Sequence, residues 1–348
     1  MNILFDIAHP ADVHMYRHVR SKLIEHGHTV VFMARDKDVV IELLDAYNIP
    51  YEKGTKAASG IFRLSIELIK WFFIAFRTIR RHNIDVTVSL SSPATAWAAL
   101  LQGVPHLMFN DTETGIAQLR MARPATKWIY TPECLLSDWG SKQIRYRGIH
   151  DLAYLRRPAS TLNNSELENS KSPSSFPPRQ QPYAIIRFVS WSASHDRGKR
   201  KTTVEFQKKI CGIISDKMDI YISAEGDLPE ELEKYRSTIP PHLLHEAIAS
   251  AKLVVGDGAT TATEAAVLGV PSVYISPFAD ALGYCRLLNS YGLLVSVKDE
   301  AEGLAAIEKL LRNPDFKKRR NQREKLLDDT IDLVKFMTEK IEECGPVK

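Results

Sequence analysis

Between two short β-branched runs, Leu253-Val254-Val255 and Ser272-Val273-Tyr274-Ile275, lies the stretch best suited to chemistry. It begins Gly256-Asp257-Gly258-Ala259-Thr260-Thr261, continues alanine-rich, and ends at Gly269-Val270-Pro271. The pattern predicts strand, turn, helix, strand. Small residues in the turn let a ligand approach the backbone, and the unpaired amides of the first helical turn, with the positive end of the helix dipole, face it. Such a helix start suits an anion, most often a phosphate. Glu264 stands one turn further in, on the side of Thr260 or Thr261. A carboxylate there repels a bare phosphate but accepts hydrogen bonds from sugar hydroxyls, so the pair reads as a nucleotide site. The same residues also suit an ordinary α/β turn whose small side chains only permit tight packing, with Glu264 on a solvated face.

Gly258-Ala259, Glu264 and Gly269-Val270-Pro271 resemble the donor site of GT-B-fold nucleotide-sugar enzymes, a superfamily of glycosyltransferases and non-hydrolysing UDP-N-acetylglucosamine 2-epimerases. More closely, nearly the whole chain resembles a family of archaeal and bacterial proteins catalogued as a domain of unknown function. That likeness includes the opening Asp6-Ile7-Ala8-His9-Pro10-Ala11-Asp12-Val13-His14. The resemblance implies α/β architecture with two doubly wound, Rossmann-like domains facing across a cleft. It implies Glu264 on a ribose, the helix start on a diphosphate, and a glycosyltransferase using UDP-sugar or another nucleotide-sugar donor in glycan or cell-envelope polysaccharide synthesis, with a glycan or lipid-linked acceptor. It implies neither a metal nor a separate cofactor. The alternatives are a nucleotide-sugar 2-epimerase and a non-catalytic nucleotide-sugar-binding protein.

Ligands of a parallel sheet collect beyond the carboxyl ends of its strands, which nominates His9, Asp12 and His14 after the first strand and Asp111 and Glu113 after a later one. Histidine transfers protons near neutral pH, and Asp12 is placed to orient one. In related transferases a first-loop histidine or aspartate is the base, which ranks His14 and Asp12 ahead of His9, the residue held extended before Pro10. The loop departs from the glycine-rich form of those enzymes. Asp12 is also a candidate helix cap, and His14 a surface residue. Glu113-Thr114-Gly115 and Thr131-Pro132-Glu133 resemble epimerase segments, whereas Ser91-Ser92-Pro93 stands where that family has an aspartate.

Arg187 and Ser190, at the end of a strand, suit a phosphate or sugar, with Trp191 as a stacking face. Glu225-Gly226 is expected to flank the nucleotide, the resemblance implies Asp280 on the donor sugar, and Asp196–Lys201 reads as a solvated basic loop.

Strands expected at 2–8, 29–34, 85–90, 106–109 and 128–131 alternate with helices, which indicates a parallel sheet covered on both faces. The first helix is expected over 13–26. Residues 156–182, rich in Ser, Asn and Pro, read as a linker. The alternation resumes at 183–188, 218–223, 253–255, 272–275 and 293–297. The expected domains are 1–155 and 183–330, with a terminal helix in 331–348 packing back on the first. Within the apolar stretch Ile61–Arg81, Arg63, Lys70 and Arg77 repeat every seven residues, giving a buried helix with one wet stripe or a helix lying on a membrane surface; burial is the favoured reading.

A chain of 348 residues, 44% hydrophobic and 25% charged, accommodates two globular domains. Forty-six basic against 42 acidic residues give +4, too balanced to indicate nucleic-acid binding. Cys134, Cys211, Cys285 and Cys344 show no paired spacing, which fits a reducing cytoplasm, at the inner face of the membrane if 61–81 lies on lipid.

Overall fold

The computed structural model describes residues 1–56, 61–156, 181–189 and 202–345, with only the backbone at 56 and 61–64. Ser190, Trp191, the 196–201 loop, nearly all of the 156–182 segment and the Arg63 side chain lie outside the described residues.

The chain divides into two compact units, Met1–Tyr154 with Ile331–Lys348, and Leu155–Thr330. In the first, seven strands form one sheet: β1 (Asn2–Ile7), β2 (Thr29–Asp36), β3 (Tyr51–Lys56), β4 (Val86–Ser89), β5 (His106–Phe109), β6 (Trp128–Pro132) and β7 (Gln143–Tyr146). Their order is β3-β2-β1-β4-β5-β6-β7 and every pairing is parallel. The order turns between β1 and β4, where Ile3 pairs with both Val30 and Val86. Parallel strands need long crossovers, and helices supply them. On one face Leu4 and Met33 pack against Trp71, Ala75 and Ile79 of the Ile61–Arg81 helix and Ala94, Ala98 and Ala99 of the Pro93–Leu100 helix and its end. On the other, Phe5 meets Tyr16 and Phe32 at ring separations of 4.8 and 5.5 Å.

The terminal helix Leu333–Glu342 belongs to this first unit. Its Leu333, Met337 and Ile341 are fully buried, Phe336 meets Tyr130 edge-on at 5.7 Å, and Glu342 binds His26 Nδ1 and His28 Nε2 at 2.7 and 2.9 Å.

The second unit is built on β8 (Tyr183–Phe188), β9 (Asp219–Ala224), β10 (Leu253–Gly256), β11 (Ser272–Ile275) and β12 (Leu294–Val297), in the order β12-β11-β10-β8-β9, again all parallel. Its sheet is covered on both faces, which is why its strands read as continuous apolar runs. Ile186, Phe188, Val255 and Val273 bury toward the Val204–Ser215 and Glu300–Arg312 helices. Ile185 and Val254, one residue along, bury toward the Leu244–Ser250 and Ala259–Val267 helices. The last of these is ended by Gly269, whose φ of +79° suits a residue without a Cβ.

Candidate functional site

Each sheet reverses strand order once, and the carboxyl ends of the strands at that reversal are where an open α/β sheet presents a ligand crevice. In the second unit the reversal lies between β8 and β10, which brings the end of β8 beside the Gly256-Asp257-Gly258 turn. Asp257 ties the two loops together: Oδ1 accepts from Val189 N at 2.8 Å and Oδ2 from Thr202 Oγ at 3.0 Å. The glycines answer to the neighbouring strand. A Cβ on Gly256 would overlap the Arg187 carbonyl oxygen, and one on Gly258 would fall 2.9 Å from Arg187 Cγ. Tight packing therefore explains both residue types.

The helix that follows, Ala259–Val267, has Gly258 as its N-cap, which offers no side-chain cap bond. Gly258 and Ala259 are half-buried and Thr260 is exposed, so this start is open to solvent; Thr261 is buried. Beside it, Arg187 Nη1 donates to Ser223 Oγ at 2.8 Å and Nη2 to Glu225 Oε1. Glu225 thus holds the guanidinium, while the Gly226 carbonyl is taken by Arg236 at 3.2 Å. A helix start with glycine at its cap and a cation on the adjoining strand have the chemistry that suits an anion.

Glu264 departs from the expected solvated face. Its side chain is 4% exposed and Oε1 lies 3.0 Å from His245 Nε2, on the Leu244–Ser250 helix. Asp280 sits at the opposite extreme, two-thirds exposed in a surface ion pair with Lys298.

In the first unit the reversal between β1 and β4 is filled by the first loop's own bonds. The helix starts at Pro10, earlier than the sequence suggests, because His9 and Asp12 form a reciprocal capping box. Asp12 Oδ2 accepts from Ala8 N and His9 N at 2.8 and 2.9 Å, and His9 Nδ1 accepts from Ala11 N at 3.2 Å. His14 is buried rather than on the surface, stacked on Tyr154 at 5.6 Å and edge-on to Tyr47 at 5.9 Å. Ser92 caps the Pro93–Leu100 helix. Burial pushes the Asp12 carboxyl up to about 7; its two amide bonds and His150 pull it down, and Asp6 adds to the rise.

The sequence reading did not anticipate what lies next to this loop. His150 Nδ1 approaches Asp111 Oδ2 at 3.1 Å, and the Tyr146 ring lies nearly parallel to the imidazole, 6.5 Å away. His150 Nε2, Tyr146 Oη, Tyr16 Oη, Asn110 Oδ1 and Asp12 Oδ1 are all buried without a hydrogen-bond partner among the described residues. Each such atom costs about 1–3 kcal/mol unless something else solvates it, and native folds rarely gather five. Burial raises the Tyr16 and Tyr146 phenols, keeping them protonated, and pushes the Cys134 thiol up to about 12. Glu113 is at the edge of the group, with Oε1 accepting from Leu136 N at 3.2 Å. An imidazole bonded to a carboxylate through one nitrogen is arranged as a base at the other. The only sequence hint was Gly148-Ile149-His150-Asp151 after a short polar strand.

Residues 1–344 match the family described as "Protein of unknown function (DUF354)". The chain belongs to that family. No curated protein matches it. Among solved structures it is similar to the UDP-GlcNAc 2-epimerase from Neisseria meningitidis bound to UDP-GlcNAc, with 11% identity, a TM-score of 0.73, and 99% of this chain and 100% of that chain covered. It is similar to the S. aureus MnaA-UDP co-structure at 10% identity and TM-score 0.68, covering 98% and 94% of the two chains. MurG from Acinetobacter baumannii matches at 15% identity and TM-score 0.56, covering 99% and 100%. At such identities the likeness shows the fold alone: this DUF354 chain has the two parallel-sheet α/β units of GT-B proteins.

Proposed function

We propose that the protein is a nucleotide-sugar-dependent glycosyltransferase. The observation that carries this reading is the uncapped Ala259–Val267 helix start beside Arg187 at the strand-order reversal of the second unit. The donor diphosphate takes the amides of Ala259, Thr260 and Thr261, and Arg187 shifts part of its bonding from Glu225 to a phosphate oxygen. Glu264, oriented by His245, is assigned the ribose hydroxyls, and Asp280 the outer edge of the sugar. The solved neighbours bound to UDP-GlcNAc and UDP support the ligand class.

The first unit supplies proton transfer. In this reading His150, oriented by Asp111, takes the base role rather than His14, Asp12, His9 or Glu113, two of which are spent on capping and one on ring packing. Nε2 accepts the proton of an acceptor hydroxyl, whose oxygen bonds to the anomeric carbon as the bond from that carbon to the diphosphate oxygen breaks. The nucleoside diphosphate leaves with its charge met by the helix amides and Arg187.

The test is incubation with a panel of nucleotide sugars and acceptors, following nucleoside diphosphate release. His150→Gln should lower turnover by about 100- to 10,000-fold while donor affinity holds. Full turnover in that variant would remove His150 from the reaction. Epimer formed without acceptor would favour the epimerase reading, for which Asp111, Glu113 and the readily protonated Asp12 supply carboxyl groups.

A further inference from the structure

The first unit carries an unusual face. The Ile61–Arg81 helix turns Trp71, Ala75 and Ile79 inward, yet Ile66, Ile69 and Phe73 stand on its outer stripe, with Phe73 53% and Ile69 57% exposed. This corrects the expectation of a buried helix with a purely polar wet side. The adjoining Pro93–Leu100 helix adds Trp97 and Leu100, and Leu101 follows at its end. Hydrogen bonds fasten the layer: Gln102 Nε2 donates to Phe76 O at 3.1 Å, and Trp97 Nε1 to Met121 O at 2.9 Å on the Ile116–Ala122 helix. Ile116 and Met121 of that third helix are exposed too. Among the described residues, only Ile24, Val204 and Phe316 are large apolar side chains exposed outside this layer and the nearby Leu136.

The exposed ionic groups on the same helices all have one sign. Lys70, Arg77 and Arg80 share the outer surface of the first helix, and Arg120, Arg123 and Lys127 lie on or just after the third. The one acidic residue, Glu67, is buried and faces Arg35 at 3.5 Å. An exposed apolar surface set among cations only is complementary to anionic head groups over acyl chains. A second copy of the chain fits worse, because a self-complementary face would bring cations against cations. No helix among the described residues is long and apolar enough to cross a membrane, so the contact is with the surface.

We propose that this face docks the protein on an anionic phospholipid bilayer, with Ile66, Ile69, Phe73 and Trp97 entering the interface and the basic residues meeting the head groups. The inference is independent of the donor site and of any catalytic role.

The test is co-sedimentation of the full chain with phosphatidylcholine vesicles and with vesicles of equal parts phosphatidylcholine and phosphatidylglycerol. Binding should favour the anionic vesicles by at least about tenfold and weaken with salt. The double variant Ile69→Ser with Phe73→Ser, and separately Lys70→Glu with Arg77→Glu, should each reduce binding by about fivefold or more with the melting temperature held, since all four side chains are exposed. Absence of binding to the anionic vesicles would overturn the proposal, as would binding unaffected by either double variant. Sedimentation velocity provides a further arm: a dimer that dissociates in the Ile69→Ser with Phe73→Ser variant would assign the face to a second copy instead.

Discussion

Two helices start beyond the strand-order reversals of two parallel sheets, and they are finished in opposite ways. At Pro10 the start is sealed: proline has no amide, Ala11 N is taken by His9, and Asp12 reaches back to Ala8 and His9. At Ala259 it is left unsealed, with glycine at the cap and a guanidinium beside it. Sealing uses side chains to satisfy amides; leaving them unsealed reserves those amides for an outside acceptor. Both starts border a strand-order reversal, and they differ in the residues at their caps. That difference supports the proposed anion site in the second unit, and leaves the first with a buried polar group around His150.

The comparison is broken most severely by closing the open start. Gly258→Asp supplies a cap and a negative charge where the phosphates are assigned, and its carboxylate competes for Arg187. Affinity for UDP and UDP-sugars should fall on the order of 100-fold by calorimetry, with some loss of stability because the new Cβ meets Arg187 Cγ at 2.9 Å. Unchanged affinity would move the anion elsewhere. A smaller effect is expected in the same helix: Glu264→Ala removes the bond to the buried His245 and should cost about 1–3 kcal/mol in denaturant unfolding. An unchanged midpoint would mean that the pair holds nothing.

The smallest effect probes the sealed start. Because burial raises the Asp12 carboxyl from 3.8 to about 7, the folded state keeps a proton that the unfolded chain has released. Its stabilising contribution is full below about pH 4 and is lost as pH rises through about 7. Asp12→Asn does not titrate, so its stability relative to wild type should improve between about pH 4 and about pH 7, read as denaturant midpoints. A constant difference would show that Asp12 titrates as an ordinary carboxyl group.

How far the sequence revealed this architecture depended on burial. All five strands of the second sheet were legible because both faces are covered and apolar runs result. In the seven-stranded sheet the two edge strands were not: Tyr51–Lys56 and Gln143–Tyr146 are polar, since an edge strand has less to bury. The donor-side turn was visible from its glycines, although packing against Arg187 accounts for them. His150 was hidden because its partner, Asp111, is distant in the chain and joins it only when β7 is laid beside β6. Glu264 was visible, but its burial was not, since His245 comes from a separate helix.

The helix Leu333–Glu342 has a further consequence for synthesis on the ribosome. The second unit is made from one continuous length of chain, whereas the first needs Leu333, Met337 and Ile341 to complete its core and Glu342 to join His26 and His28. The unit translated first is therefore completed last. Its seven strands emerge early and wait, incompletely covered, while nearly 180 intervening residues are added, counted from Leu155 to Thr330. Until the last helix is added the nascent first unit exposes the apolar surface it covers, and a truncation removing only that helix should expose it permanently.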